Sequence, residues 1–295
     1  MVVLSLLLLL PVVYPDDGLA KTMLPIYVKE AAEYSMAIDS NPKKALEFKK
    51  EPVFEWTNPI RSTPQQGAVF LWLRNGRPAA VGGIFSQKDP DLPGRRVVHE
   101  LHALSREKLL VSRPVGALNE WNPQAGLARK ELPDAGVPAV IAAERLIQMK
   151  KLAAEFTGHE TDIDDKREDL RLLPAPLYRY PAARDGVVDG ALFALVSTEG
   201  TDPEVWLLIE ACKEGSTTRW EYACGRFSNR NLYVRHKDKE VWSSVRSEAD
   251  TVHHDALHLY RLYADKVVTL EGKLLARVRE SREVWWGEAV PVEDK

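Results

Sequence analysis

The sequence repeats itself at an offset of about 121–125 residues, which constrains its architecture more than any single motif does. Glu51-Pro52-Val53-Phe54-Glu55-Trp56 precedes Gly67-Ala68-Val69-Phe70-Leu71-Trp72-Leu73. Ala175-Pro176-Leu177-Tyr178-Arg179-Tyr180 precedes Gly190-Ala191-Leu192-Phe193-Ala194-Leu195-Val196. Gly76 and Pro78 answer to Gly200 and Pro203, Leu109 and Val111 to Leu232 and Val234, and Trp121 to Trp242. Upstream, Leu24, Tyr27, Ala31 and Tyr34 share their spacings with Leu146, Met149, Ala153 and Phe156. Each set is the apolar stripe of an amphipathic helix. These stripes predict helices over Leu24–Ile38 and Val140–Phe156, with Pro25 and Pro138 near their starts, where proline is tolerated.

Strand patterns follow each stripe. The first half offers Leu46–Trp56, Ala68–Leu73, Ala80–Phe85, Val97–Leu104 and Leu109–Ser112, with Asn75-Gly76 as a hairpin turn. The second offers Leu170–Tyr180, Ala191–Ser197, Val205–Ala211, Arg219–Phe227, Leu232–Arg235 and Val241–Val245. The fold class expected from this pattern is α+β: a tandem duplication of one amphipathic helix followed by a five- to six-stranded antiparallel sheet. The corresponding division is a leader over 1–20, a first unit over 21–137, a second over 138–265, and a C-terminal hairpin and tail over 266–295. In that last segment Glu271-Gly272 turns between Val267–Leu270 and Leu274–Val278.

The chain resembles a set of uncharacterised exported bacterial proteins of planctomycete type. The resemblance rests on Trp56-Thr57-Asn58-Pro59-Ile60-Arg61, on Gly67–Gly76, and on Asp189-Gly190-Ala191-Leu192-Phe193 with Gly200-Thr201-Asp202-Pro203-Glu204-Val205. It covers most of the chain beyond the leader and implies no activity.

Val2–Val13 is almost wholly apolar, with leucine at positions 6–10. It is too short to span a bilayer and suits the apolar core of a signal peptide. Gly18-Leu19-Ala20 supplies small residues for cleavage after Ala20, although no Lys or Arg precedes the apolar run. Export to the periplasm or beyond is the expected localisation. A net charge of -3, with no basic run, gives no electrostatic case for nucleic acid or an anionic membrane as partner of the mature form. Export would permit a disulfide between Cys212 and Cys224. However, a hairpin turning near Glu214–Ser216 sets one cysteine near the turn and the other several residues away, so both are expected free.

Candidate sites are few. Trp56 and Tyr180 are matched, and each is followed by a matched arginine, Arg61 and Arg184. Such pairs could stack on and clamp an anionic or sugar-like ligand. Alternatively the rings are core and the arginines tie down loops. His254 and His258 are spaced i, i+4, which on a helix would put two metal-ligating imidazoles on one face. On a strand they would stand about 13 Å apart. His99-Glu100-Leu101-His102 lacks the zinc-protease spacing, and on a strand its histidines face opposite ways, which reads as polar residues on a half-exposed strand. Nucleophile-elbow, phosphate-loop and dinucleotide motifs are absent, and no cofactor is implied. The expected function is therefore a non-catalytic exported binding or interaction protein, with an unidentified small ligand or protein as partner. A hydrolase-type enzyme of unfamiliar architecture, with its site between the repeats, is the alternative.

Overall fold

A computed structural model of the chain describes residues 17–59, 63–114, 121–180, 186–246, 257–279 and 287–292. In chain order these form α1 (Asp17–Ala32), β1 (Ser35–Ile38), β2 (Asn41–Ala45), β3 (Glu47–Asn58), β4 (Gln65–Arg74), β5 (Arg77–Lys88), β6 (Arg95–Ala103), β7 (Leu109–Ser112) and β8 (Lys130–Glu131). Next come α2 (Ala142–Ala153), β9 (Phe156–Thr161), β10 (Arg167–Leu172), β11 (Tyr178–Arg179), β12 (Val187–Ser197), β13 (Pro203–Glu214) and β14 (Thr217–Arg226). The chain continues through β15 (Asn231–His236), β16 (Lys239–Ser244), β17 (Tyr260–Val268), β18 (Leu274–Arg279) and β19 (Glu288–Pro291).

The strands build two large antiparallel sheets and one small one. The order in the first large sheet is β19-β18-β17-β6-β5-β4-β3, and in the second β16-β15-β9-β10-β12-β13-β14-β8, with β11 added beside β12. β2-β1-β7 form the small sheet. Alternation along central strands shows how the layers stack, since successive side chains point to opposite faces. On β4, Val69, Leu71 and Leu73 join a core shared with Leu192, Ala194 and Val196 of β12 and with Trp206 and Leu208 of β13. The intervening Ala68, Phe70 and Trp72 pack instead with Met23, Tyr27 and Ala31 of α1. On β12, Ala191, Phe193 and Leu195 likewise pack with Met149, Leu152 and Ala153 of α2. Two sheets thus meet face to face, and each has one helix against its other face. Burial on both faces explains why these strands read as continuous apolar runs.

Turn chemistry fixes the hairpins. Asn75 and Gly76 both take positive φ, 52° and 83°, between the paired Arg74 and Arg77. A turn of this kind suits Asn-Gly because most side chains resist that backbone region. Gly272, at φ 82°, turns between β17 and β18. Cys212 pairs with Arg219 and Cys224 with Leu207, so both thiols are free and buried, as the hairpin register requires.

The expected fold class is corrected. The chain is mostly β, 56% strand and 11% helix, with two helices among the described residues; it is not an α+β tandem repeat of helix plus sheet. The large sheets share one core, and distant segments complete them. β17, far downstream, pairs with β6, and Lys130 and Glu131 pair with Tyr222 and Glu221. Local pattern-matching cannot see such pairings. The first helix also runs from Asp17 to Ala32, so Pro25 lies inside it, and Ser35–Ile38 is a strand.

Phe70 and Phe193 are both fully buried, under α1 and α2 respectively. Phe70→Ala and Phe193→Ala are each expected to destabilise the protein by about 3–5 kcal/mol, measured by urea unfolding. A loss below about 1 kcal/mol in either variant would contradict the packing of that layer.

Candidate functional site

Two polar sites lie on opposite faces of one strand pair. β6 and β17 run antiparallel, with His99 opposite Tyr263 and His102 opposite Tyr260. His99 faces α1 and His102 faces the second large sheet. The register slips between Ala264 and Lys266, so Asp265 is an extra residue without a partner on β6. That β-bulge allows consecutive side chains, Asp265 and Lys266, to turn toward the same helix-covered face. Both then meet Glu30 from α1: the Lys266 Nζ lies 2.7 Å from Glu30 Oε1 and 3.6 Å from Asp265 Oδ2.

Arg113, just after β7, ties this cluster together. Its NH2 donates to Glu30 and Glu33 at 3.3 and 3.0 Å, and its NH1 to Asp265 Oδ1 and the Tyr263 hydroxyl at 3.2 and 3.1 Å. Its guanidinium also lies 4.8 Å from the Tyr34 ring centroid. His99 Nδ1 bonds the Tyr34 hydroxyl at 2.8 Å, and Tyr34 bonds Tyr263. The His99 ring stacks on Tyr263 at 5.1 Å. Glu30, His99 and Asp265 are 2%, 0% and 1% exposed.

Burial and pairing set the protonation states here. Burial pushes the His99 imidazole below its ordinary value, with Arg113 acting in the same direction and Glu30 and Asp265 opposing it. Burial opposes ionisation of Glu30, but contacts with His99 and Lys266 outweigh it and keep the carboxyl below the usual range. Asp265 is likewise lowered against its burial, by His99, Arg113 and Lys266. Burial pushes the Tyr263 hydroxyl up to about 12, so it stays protonated. Two carboxyls lowered by their cationic surroundings, an imidazole lowered by burial and a phenol raised by burial thus sit together out of water.

On the other face of β6 the second sheet curls until its far strands approach. Arg226 of β14 donates to the Ser244 hydroxyl of β16 at 2.9 Å and also to the Ser244 carbonyl. A cavity of about 370 Å³ opens at this seam, lined by His102, Cys224, Arg226, Trp242, His258 and Tyr260 among others. The His102 ring lies against Gly225, where an added Cβ would sit 3.1 Å from it. Its Nδ1 is buried without a hydrogen-bond partner. Burial, reinforced by the Arg226 charge, lowers the His102 pKa to about 3. Burial also pushes the Cys224 thiol up to about 12. A thiol and an imidazole both held neutral do not make an activated nucleophile.

The sequence-derived candidates are scattered. Trp56 is buried in the core between the sheets, its ring over Gly67 and beside Phe85. Tyr180 is buried over Gly190, and its hydroxyl donates to Glu210 at 2.9 Å. Glu210 also accepts from Arg77 and Arg129, so Tyr180 belongs to a buried ionic tie between the sheets. Arg61, Arg184 and His254 lie outside the described residues, and His258 alone of the histidine pair is placed, on the cavity wall. His99 and His102 are buried, not half-exposed, because β6 is covered on both faces. Sequence reasoning missed Glu30, Arg113, Tyr263, Asp265 and Lys266. One signal was available: Val97, Val98, Leu101 and Ala103 occupy both faces of β6, so polar residues among them must be buried too.

Comparison with protein-family models, with curated proteins and with solved structures found no match.

His102 gives this site a pH signature. Its pKa is depressed on folding, so between about 6.5 and about 3 the unfolded chain binds a proton that the folded chain does not. Stability is therefore lost as pH falls through that window, by about 1.4 kcal/mol per pH unit from this group. His102→Gln is expected to flatten the stability–pH curve between pH 6.5 and 4.5 by about that slope, measured by urea unfolding. An unchanged slope would show that His102 is not a buried neutral imidazole.

Proposed function

We propose that this chain is an exported, non-catalytic binding protein that takes a small ligand into the cavity at the seam of β14 and β16. The observation that carries this reading is the cavity itself. Its volume of about 370 Å³ falls within the range of small-molecule sites, and His102, whose Nδ1 is buried without a hydrogen-bond partner, is among its lining residues. A buried, unpaired ring nitrogen is costly unless something bonds it. Trp242, half-buried on the wall, offers a flat apolar face. Arg226 is committed to Ser244 and to the carbonyls of Ser228 and Arg230, which favours hydrogen-bonding ligands over strong anions. A protonated Cys224 thiol beside a neutral His102 imidazole speaks for binding rather than turnover. We further propose that nucleic acid and membrane are not partners of the mature form, in keeping with the modest net charge. No helix among the described residues is long and apolar enough to cross a membrane.

The export reading rests on the apolar run Val2–Val13 and on Gly18-Leu19-Ala20 before the proposed cleavage point. The apolar run Val2–Val13 itself lies outside the described residues.

Native mass spectrometry of protein isolated from its own host tests both statements together. The expected result is a chain beginning at Lys21 that holds one non-covalent small-molecule adduct. Ala128→Trp, on the exposed rim of the cavity, should abolish the adduct, and Trp242→Ala should weaken its retention by roughly tenfold. No adduct on the wild-type protein, or an adduct unaffected by Ala128→Trp, would contradict the binding reading, and a retained Met1 would contradict export.

A further inference from the structure

We propose that Glu30, His99 and Asp265 form a site for one divalent transition-metal ion of the zinc class. The site lies on the helix-covered face of β6 and β17, opposite the ligand cavity, and does not depend on that cavity's function. One ligand atom from each of the three residues lies within 4.8 Å of the other two.

Proximity alone would be weak grounds, because acidic groups often cluster. The stronger observation is how each residue divides its polar atoms. His99 Nδ1 is held by the Tyr34 hydroxyl, whereas Nε2 is buried with no hydrogen-bond partner. Asp265 Oδ1 accepts from Arg113, whereas Oδ2 is buried with no hydrogen-bond partner, the Lys266 ammonium standing 3.6 Å away. Glu30 Oε1 is held by Lys266 at 2.7 Å, and Oε2 faces His99 Nε2 at 3.6 Å with one long contact from Arg113 at 3.3 Å. His99 is thus anchored at Nδ1 and Asp265 at Oδ1, each with its other polar atom free of hydrogen bonds, whereas both Glu30 oxygens meet cations that a metal ion would have to displace. Outer groups of metal sites hold the far atom of a ligand as Tyr34 and Arg113 do here.

The 3.6 Å separation is informative. It is too long for a hydrogen bond. Two ligands on one tetrahedral ion, each bonded at about 2.0–2.1 Å, stand about 3.3–3.4 Å apart. The three ligand atoms spread over up to 4.8 Å, so reaching that spacing throughout takes side-chain shifts of up to roughly 1.5 Å. The donor set of one imidazole and two carboxylates suits zinc and its first-row neighbours better than calcium or magnesium, which take oxygen ligands in larger number. With three protein ligands, a fourth position remains for water.

Charge sets the competition. Glu30, Glu33 and Asp265 face Arg113 and Lys266, leaving one negative charge in excess when His99 is neutral. An ion carrying one hydroxide would neutralise that excess. Lys266 is the principal rival because its ammonium contacts both carboxylates, so its removal should strengthen metal binding.

The test is titration of the metal-free full chain with Zn2+ by calorimetry and with Co2+ by visible absorption. The expected result is one ion per chain, Co2+ bands of a low-coordinate site, and a higher Tm with Zn2+ present. His99→Ala and Asp265→Asn should each weaken binding by more than about 100-fold, and Tyr34→Phe by about 10–100-fold, the range for loss of an outer-shell partner. Lys266→Met should tighten it, and His159→Ala, remote from the cluster, should leave it unchanged. If His99→Ala does not fold, the opposed effects of Tyr34→Phe and Lys266→Met still decide the matter. Absence of stoichiometric binding in the wild-type chain, or affinity unchanged by these substitutions, would overturn the assignment.

Discussion

The antiparallel pairing of β6 with β17 is the constraint on which the rest of the molecule depends. It joins residues 95–102 to residues 260–268 and so ties the first β meander to the C-terminal strands. Closing so long a loop costs conformational entropy that the pairing alone does not return. Burial returns it: Val97, Val98, Leu101, Tyr260, Tyr263, Ala264 and Val267 are all covered, on one face by α1 and on the other by the second sheet. A strand pair buried on both faces excludes water from whatever polar groups it holds.

Both sites follow from that exclusion. His99 and His102 are three residues apart on one strand, so they occupy opposite faces and different chemistries. Facing the second sheet, His102 has no carboxylate partner described, and burial keeps it neutral beside a cavity. Facing α1, His99 sits among ionised carboxylates balanced by Arg113 and Lys266. The bulge at Asp265 separates these outcomes from an ordinary sheet. With a regular register, Asp265 and Lys266 would point to opposite faces, and one charge would be forced into the apolar core between the sheets.

Much of the local structure was legible in the sequence. Asn75-Gly76 fixed one hairpin and Glu271-Gly272 another, because positive φ restricts residue choice. The stripe Tyr27, Ala31 and Tyr34 marked the buried side of the first helix region, and the spacing of Cys212 and Cys224 kept the thiols apart. The assembly was not legible. Which strands share a sheet is decided by contacts between distant residues, and no local period records them. The helix-plus-sheet expectation therefore failed: the apolar strand runs signalled two-sided burial between layers, not independent units. The site was hidden for a related reason. Asp265-Lys266 reads as an exposed polar pair unless the bulge is known, and Glu30 reads as the polar side of a helix. Trp56 and Tyr180 drew attention as matched aromatics, yet each is packed over a glycine, which explains the Gly67 and Gly190 that accompany them.

Hydrogen–deuterium exchange of the full chain, resolved to the segment 260–268, tests the central pairing most directly. Amides of β17 should exchange as slowly as those of β5 and β6, with protection continuing past the bulge to Val268. Exchange of 260–268 at the rate of an unstructured segment, while β5 remains protected, would mean that β17 is not part of the sheet and that neither site is assembled as described.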